Sequence, residues 1–305
     1  MPNLDPVRRP VSSLPIVARI SIPGLPDWVA IDAHSPAIWI SNARRGNIAR
    51  IDPGSNRVVA HVAIGEFPCS GLVAAHGSVW VPCCGAGEVV RVDPGANRVA
   101  ARIPAPPADS EGAIDADADA VWMPVDGGGL AKIDPRTNEV VSRIDLPAGS
   151  FSAATGFGSV WVTNHQGNSV ARIDVASGRV VATVPVGRAP RFLTAGFGSV
   201  WVLNQGDGTV SRIDPAGNEV TATIAVEVPG NGGDIATGEG GVWVTSLGKP
   251  LSRIDPATNQ VTVQYVGEGG DALRVGLGSI WLCNFQLQEL WRIDPARVGA
   301  GGMGD

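Results

Sequence analysis

The chain of 305 residues is 44% hydrophobic and only 17% charged, with 40 glycines, 24 prolines and a formal net charge of −6. Frequent Val, Ile and Trp with so little net charge exclude a disordered chain, and no apolar run approaches the ~18 residues of a membrane-spanning helix. An acidic balance without a dense basic cluster excludes a nucleic-acid partner, which requires a cationic face.

The opening Met1–Pro10 carries Arg8 and Arg9, and the apolar stretch behind it is broken by Ser12, Ser13 and Pro15. That is no signal-peptide core. The chain as given therefore reads as cytoplasmic, or as exported if a leader has been removed. Residues 1–13 are expected as a flexible arm. Ile16–Ile22 then reads as one strand standing alone before the first of a series of repeats.

Seven tryptophans each end a Gly/Ser/Val-type run: Trp39, Trp80, Trp122, Trp161, Trp201, Trp243 and Trp281, spaced by 41, 42, 39, 40, 42 and 38 residues. Twelve or thirteen residues after each comes a basic–apolar–Asp signature, ending at Asp52, Asp93, Asp134, Asp174, Asp214, Asp255 and Asp294. Two markers that keep step through seven units define an internal repeat. Within the unit 189–230, Phe192–Ala195 is a short apolar run, Gly196–Gly198 a turn, and Ser199–Leu203 a strand of β-branched and aromatic residues. Asn204–Gly208 is a polar loop, and Thr209–Asp214 and Glu219–Val226 alternate as half-buried strands do. The turn Asp214–Asn218 joins them: Pro215 presets φ, and Asn218 tolerates the left-handed conformation needed to rejoin the strand.

Four strands per unit and seven units predict an all-β fold, a seven-bladed β-propeller with four-stranded blades. The last unit lacks a fourth strand, so the N-terminal strand Ile16–Ile22 is expected to close the last blade and remove an exposed edge. Residues 14–297 are one domain and 298–305 a flexible tail; the chain is expected as a monomer, away from membranes.

The units, read as Gly158–Asn164, then Ala171–Asp174, then Val180–Gly187, resemble the virginiamycin B lyase family and its YVTN-type propeller relatives over about residues 16 to 297. The resemblance implies a propeller whose central depression opens a cyclic depsipeptide by elimination, helped by Mg²⁺ or another divalent cation, using a His and a Glu. At the location of the His-Gly pair this chain has Ser70-Gly71, Glu111-Gly112, Phe151-Ser152, Arg191-Phe192, Gly233-Asp234 and Asp271-Ala272. At the location of the Glu it has Asn42, Cys83, Val125, Asn164, Asn204, Ser246 and Asn284. Neither lyase residue is matched.

Residues repeated in every blade serve what every blade needs. The tryptophans are expected to pack between blades, and the basic residues Arg50, Arg91, Lys132, Arg172, Arg212, Arg253 and Arg292 to pair with acids or backbone on the blade flank. Function is expected where blades differ, on the face where the loops entering each innermost strand and those joining second to third strands converge on the axis. The candidate catalytic set there is His165, Glu111, Asp234, Asp271 and Arg191. An imidazole or carboxylate would move a proton and Arg191 would steady negative charge. Candidate ligand-binding residues are Asp27, Trp28, Arg44, Asp126, Asn164, Asn204, Gln205, Lys249 and Asn284.

Cys69, Cys83 and Cys84 fall on adjacent loops of one blade, with plain thiols favoured over a loop-tying disulfide or a thiolate metal site; Cys283 is expected buried in a strand. Asp115, Asp117 and Asp119 have the alternate-acid spacing of calcium loops without the required glycine, so a solvated acidic turn is expected. These features point to a small-molecule enzyme of lyase or isomerase type; the alternative is a non-catalytic binding module or protein-interaction scaffold.

Overall fold

The computed structural model describes residues 4–65, 67–69, 71–228, 230 and 232–300. Seven sheets of antiparallel strands form the blades: residues 26–63, 73–104, 115–144, 150–185, 190–225 and 234–266 for blades 1 to 6, and 273–293 for blade 7. The fourth strand of blade 7 is Ile16–Ser21, paired antiparallel with Glu289–Ile293, so the two ends of the chain close the ring as expected. Helical structure among the described residues is confined to four short 3₁₀ turns, and no helix is long and apolar enough to cross a membrane.

The second strand of each blade is covered on both faces by neighbouring blades, so its burial is continuous, as in Ser159–Asn164 and Ser199–Asn204. Outer strands such as Arg98–Pro104 keep one face in solvent and alternate. All seven repeat tryptophans have no exposed surface and lie between blades.

The repeated arginine acts across the blade boundary. Arg212 lies over the Trp201 ring at 4.8 Å, its Nε donates to Ser199 Oγ at 2.9 Å, and its Nη1 donates to Pro256 O and Asn259 Oδ1 of the next blade, both at 2.8 Å. Arg50, Arg91 and Arg172 reach the next turn in the same way, and Arg292 of blade 7 reaches Pro53 O and Asn56 Oδ1 of blade 1. The partners across the boundary are a carbonyl and a side-chain amide; no acid takes part. The turn asparagine therefore has two roles. It adopts positive φ (50° to 61° at Asn56, Asn97, Asn138, Asn218 and Asn259) and it accepts the neighbouring guanidinium. Blade 4 has Val175 and Gly178 (φ 65°) in those places, and there the preceding blade carries Lys132, stacked on Trp122 at 5.1 Å. Blade 7 has no such turn, and Arg253 of blade 6 bonds Gly240 O of its own blade.

Residues 4–13 differ from the expected flexible arm. Arg8–Pro10 pairs parallel with Gln264–Val266, adding a fifth strand to blade 6, because the arm carries anchors at both ends. Arg8 binds Asp5 (2.7 Å), Gln264 Oε1 (3.1 Å) and Glu227, and Leu4 and Leu14 are buried. At the other end Asp294 caps the 3₁₀ turn Pro295–Arg297, and Val298 packs on the core of blades 6 and 7. Residues 1–3 and 301–305 of the two expected arms, and Ser70, lie outside the described residues.

Asn218 separates the two roles of the turn asparagine. Asn218→Ala removes the acceptor of Arg172 and forces a side chain into the left-handed region, at a cost of about 2 kcal/mol; Asn218→Gly keeps the conformation and should lose less. Urea unfolding of the two variants measures the difference, and equal, wild-type-like stability in both would refute the cross-blade clamp.

Candidate functional site

The entry loops and the second-to-third-strand loops do open on one face. They surround an axial cavity of about 760 Å³ whose wall includes Asp27 of blade 1, Asp109 and Glu111 before blade 3, Phe151 and His165 of blade 4, Arg191 and Gln205 of blade 5, Leu247 of blade 6, and Asp271 and Phe285 of blade 7. Local backbone irregularity aims several of them. Strand pairing slips between Pro26 and Val29, between Ser150 and Ala153, and between Pro190 and Phe192. These bulges redirect Asp27, Phe151 and Arg191 at the mouth, as bulges beside functional sites do. Pro26 and Pro190, lacking an amide hydrogen, suit the start of such a strand.

Asp27 and Asp271, from the first and last blades, stand close enough on the cavity wall for each carboxyl to act on the other. Loss of water raises Asp27 well above the ordinary aspartate range, reinforced by the charges of Asp271, Glu111 and Asp234. Burial first, then Glu111 and Asp234, raise Asp271 to about 7, against the lowering effect of the Gly233 amide and Asp27. The pair therefore holds protons to higher pH than ordinary aspartates do, because burial and neighbouring acids disfavour its full ionisation.

Opposite in character is the cationic cluster. The Arg191 guanidinium lies over Phe151 at 4.8 Å and Phe192 at 5.3 Å, donates from Nη1 to Gln205 Oε1 at 3.1 Å, and stands 3.7 Å from Glu111. Burial raises the Glu111 carboxyl, opposed by Arg191. His165 packs edge-on against Phe151, ring centres 5.3 Å apart, with Nδ1 3.0 Å from Gly149 O. A carbonyl only accepts, so Nδ1 carries a hydrogen and Nε2 is left toward the cavity.

The structure thus brings together Asp27, Glu111, His165, Arg191, Gln205 and Asp271. It does not bring Asp234 into this group. That residue is 3% exposed and faces a narrower channel below, where its carboxylate accepts from the Ile235 and Leu273 amides (2.8 and 3.1 Å) and pairs with Arg274. Its oxygens are already committed between blades 6 and 7. Asn164, Asn204 and Asn284 are buried and tie loops: Asn164 to Ala148 O and the Gly167 amide, Asn204 to Thr209 and Ser211, Asn284 to the Leu287 amide. Trp28 is buried beneath the site against Phe192. Arg44 lies in a surface hollow of blade 1, Lys249 donates to Glu227 O, and Asp126 lines a side cavity that shares Phe151 and His165 with the main one.

Sequence reasoning sought charge and passed over the apolar wall: Leu247 and Phe285 line the cavity while 45% and 37% exposed. Their departure from the polar residues typical of those loops was the available signal. The cysteine expectation also changes. Cys69 and Cys84 form a disulfide, Cα–Cα 5.7 Å, because the entry loop and the second-to-third loop of blade 2 lie side by side; Cys83 and Cys283 are free and buried.

No three His, Cys, Asp or Glu side chains among the described residues converge as ligands of an ion. Asp27 and Asp271 act on each other and Asp234 bonds Arg274. Asp115 accepts from Thr155 and Asp117 from the Trp122 indole. This donor set does not fit the divalent cation that the resemblance implies.

A carboxyl whose folded value lies above its unfolded value binds more protons when folded, so its contribution is lost as pH rises. For Asp271 the window runs from the ordinary aspartate value to about 7. Asp271→Asn should flatten the fall in melting temperature across that window and melt higher than the wild type at neutral pH. Parallel melting curves for the two proteins at every pH would refute the strained pair.

No protein-family model matches the chain, and no curated protein matches it. Solved structures do. A streptogramin B lyase structure is 18% identical with a TM-score of 0.77, covering 91% of this chain and 96% of that one. Virginiamycin B lyase from Staphylococcus aureus is 17% identical, TM-score 0.77, covering 91% and 98%. Hydrazine synthase from Kuenenia stuttgartiensis is 16% identical, TM-score 0.75, covering 90% and 96%. At these identities the likeness is one of architecture: the chain has the seven-bladed propeller fold that the virginiamycin B lyase structures share with proteins of other names.

Proposed function

We propose that the axial cavity binds a small organic molecule and moves a proton on it, in a reaction of lyase or isomerase type. The observation that carries this reading is that Asp27 and Asp271, two acids deprived of water, line one cavity together with Arg191. A ring needs no such pair for its own stability, since two facing acids deprived of water are unfavourable unless they share a proton.

Asp271 takes the substrate proton, and Asp27 holds the one that can be returned at another atom. Arg191, fixed on two phenylalanine rings, faces negative charge as it develops, with its cationic charge always present. His165, with Nδ1 held by Gly149 O, presents Nε2 as a further polar contact across the cavity. Leu247, Phe285 and Phe151 accommodate the apolar part of the substrate, and the volume suits a drug-sized molecule. A second reading, a non-catalytic module that only binds, is favoured by the exposed Leu247, Phe285 and Leu287 at the rim.

Proton exchange separates the two. Small carbonyl compounds incubated with the protein in D₂O, followed by proton NMR, should exchange an acidic C–H, with a rate that rises as pH passes about 7 and Asp271 ionises. Asp271→Asn should lower that rate by about 10²–10³-fold while leaving binding intact. Binding with no exchange in the wild type would leave the binding module standing. Streptogramin B should remain uncleaved, because the positions of the lyase His and Glu hold other residues.

A further inference from the structure

Gln205 lies at the end of the second strand of blade 5 and is 2% exposed. Both ends of its amide are engaged. Oε1 accepts from Arg191 Nη1 at 3.1 Å, and Nε2 donates to Gly232 O at 2.8 Å. Its main chain is tied as well: its amide donates to Ala189 O (3.1 Å) and its carbonyl accepts from the Gly230 amide (3.2 Å). Gly232 lies against Asp271: a Cβ there would stand 3.5 Å from Asp271 Oδ1. Gly233 itself is wedged: it has φ 123°, and a Cβ there would stand 2.4 Å from Thr245 O. A line of polar contacts thus runs around the mouth from Glu111 through Arg191, Gln205 and the segment 232–233 to Asp271 and Asp27.

We propose that Gln205 is the positioning residue of this site, bonding the Arg191 guanidinium on one side and, on the other, fixing the Gly232–Gly233 segment against Asp271 and so the Asp27–Asp271 pair. Sequence reasoning placed Gln205 among ligand-binding residues; with both amide ends already bonded it acts through its neighbours. The proposal rests on the proton-moving reading for its purpose, but its geometry can be tested with no substrate at all.

The groups that bear on Asp271 are Asp27 of blade 1, Glu111 before blade 3, Asp234 of blade 6 and the buried Cys283 thiol of its own blade. Loss of Gln205 acts on this set in two ways with the same sign. The segment 232–233 loosens and moves the polar backbone beside Asp271 that favours its ionised form. Arg191 loosens and compensates Glu111 less. Both changes make ionisation of the pair harder.

The test is a pH titration of the aspartate side-chain carboxyls by carbon-13 NMR in the full chain, comparing wild type, Gln205→Met and Gln205→Asn. Methionine fills nearly the same space without either bond. Asparagine keeps a neutral amide but is one methylene too short to span Arg191 and Gly232 O, so it also carries the test if the methionine variant does not fold. The neutral-range midpoint, near 7 in the wild type, should rise by about half a pH unit or more in both variants. A midpoint unchanged in both, accompanied only by a lower melting temperature, would overturn the proposal and leave Gln205 a plain structural residue. A shifted midpoint with no proton exchange on any compound would instead keep Gln205 as the positioning residue and remove the catalytic reading.

Discussion

The ring depends on the contact in which a guanidinium, laid on the tryptophan of its own blade, grips the turn of the next. A blade is a sheet with two apolar faces, and each face is dry only if the neighbour stays in place. Tryptophan supplies the area, but area alone does not fix how far one blade turns about another. The arginine does, because its fork meets a proline carbonyl and an asparagine amide whose positions are set by a five-residue turn. A charge-assisted bond is worth about 1.5–3 kcal/mol, and five boundaries carry the full set, including the one between the last blade and the first. The chain closes on itself by the same contact that joins its interior blades.

That rigidity is what permits the arrangement at the axis. Asp27 and Asp271 come from blades at opposite ends of the sequence, and they meet only because the ring is closed. Their proximity opposes folding at neutral pH, as does the burial of Glu111 beside them. A flexible scaffold would let the acids part. A ring held by repeated clamps keeps them together, so their carboxyls stay raised above the ordinary aspartate range.

The repeat carried most of the architecture into plain view. Trp39 through Trp281 and Asp52 through Asp294 mark the period, and Asn56, Asn97, Asn138, Asn218 and Asn259 mark the turns; each behaves as its chemistry requires. The face that holds the cavity also followed from topology. The roles of single residues at that face did not. Asn164, Asn204 and Asn284 stand where Gln205 and His165 stand one residue later in two of those blades, yet the asparagines turn inward to bond their own loops. In a strand that alternates sides, one residue of offset decides between the loop interior and the axis. Asp234 was misplaced for a related reason: Arg274, forty positions later, draws it into the boundary below the cavity.

The sequence by itself determined the number of blades, the strands within each, the closing strand and the face on which unlike residues gather. These follow from local periodicity and turn chemistry, which act over a few residues and recur in every unit. Only the tertiary structure decided that Asp27 meets Asp271, that Arg191 rests on Phe151 and Phe192, that Cys69 bonds Cys84, and that five of the repeated arginines hold the neighbouring turn and not an acid. Those pairings depend on distances between loops of different blades, and such distances exist only after the ring has closed.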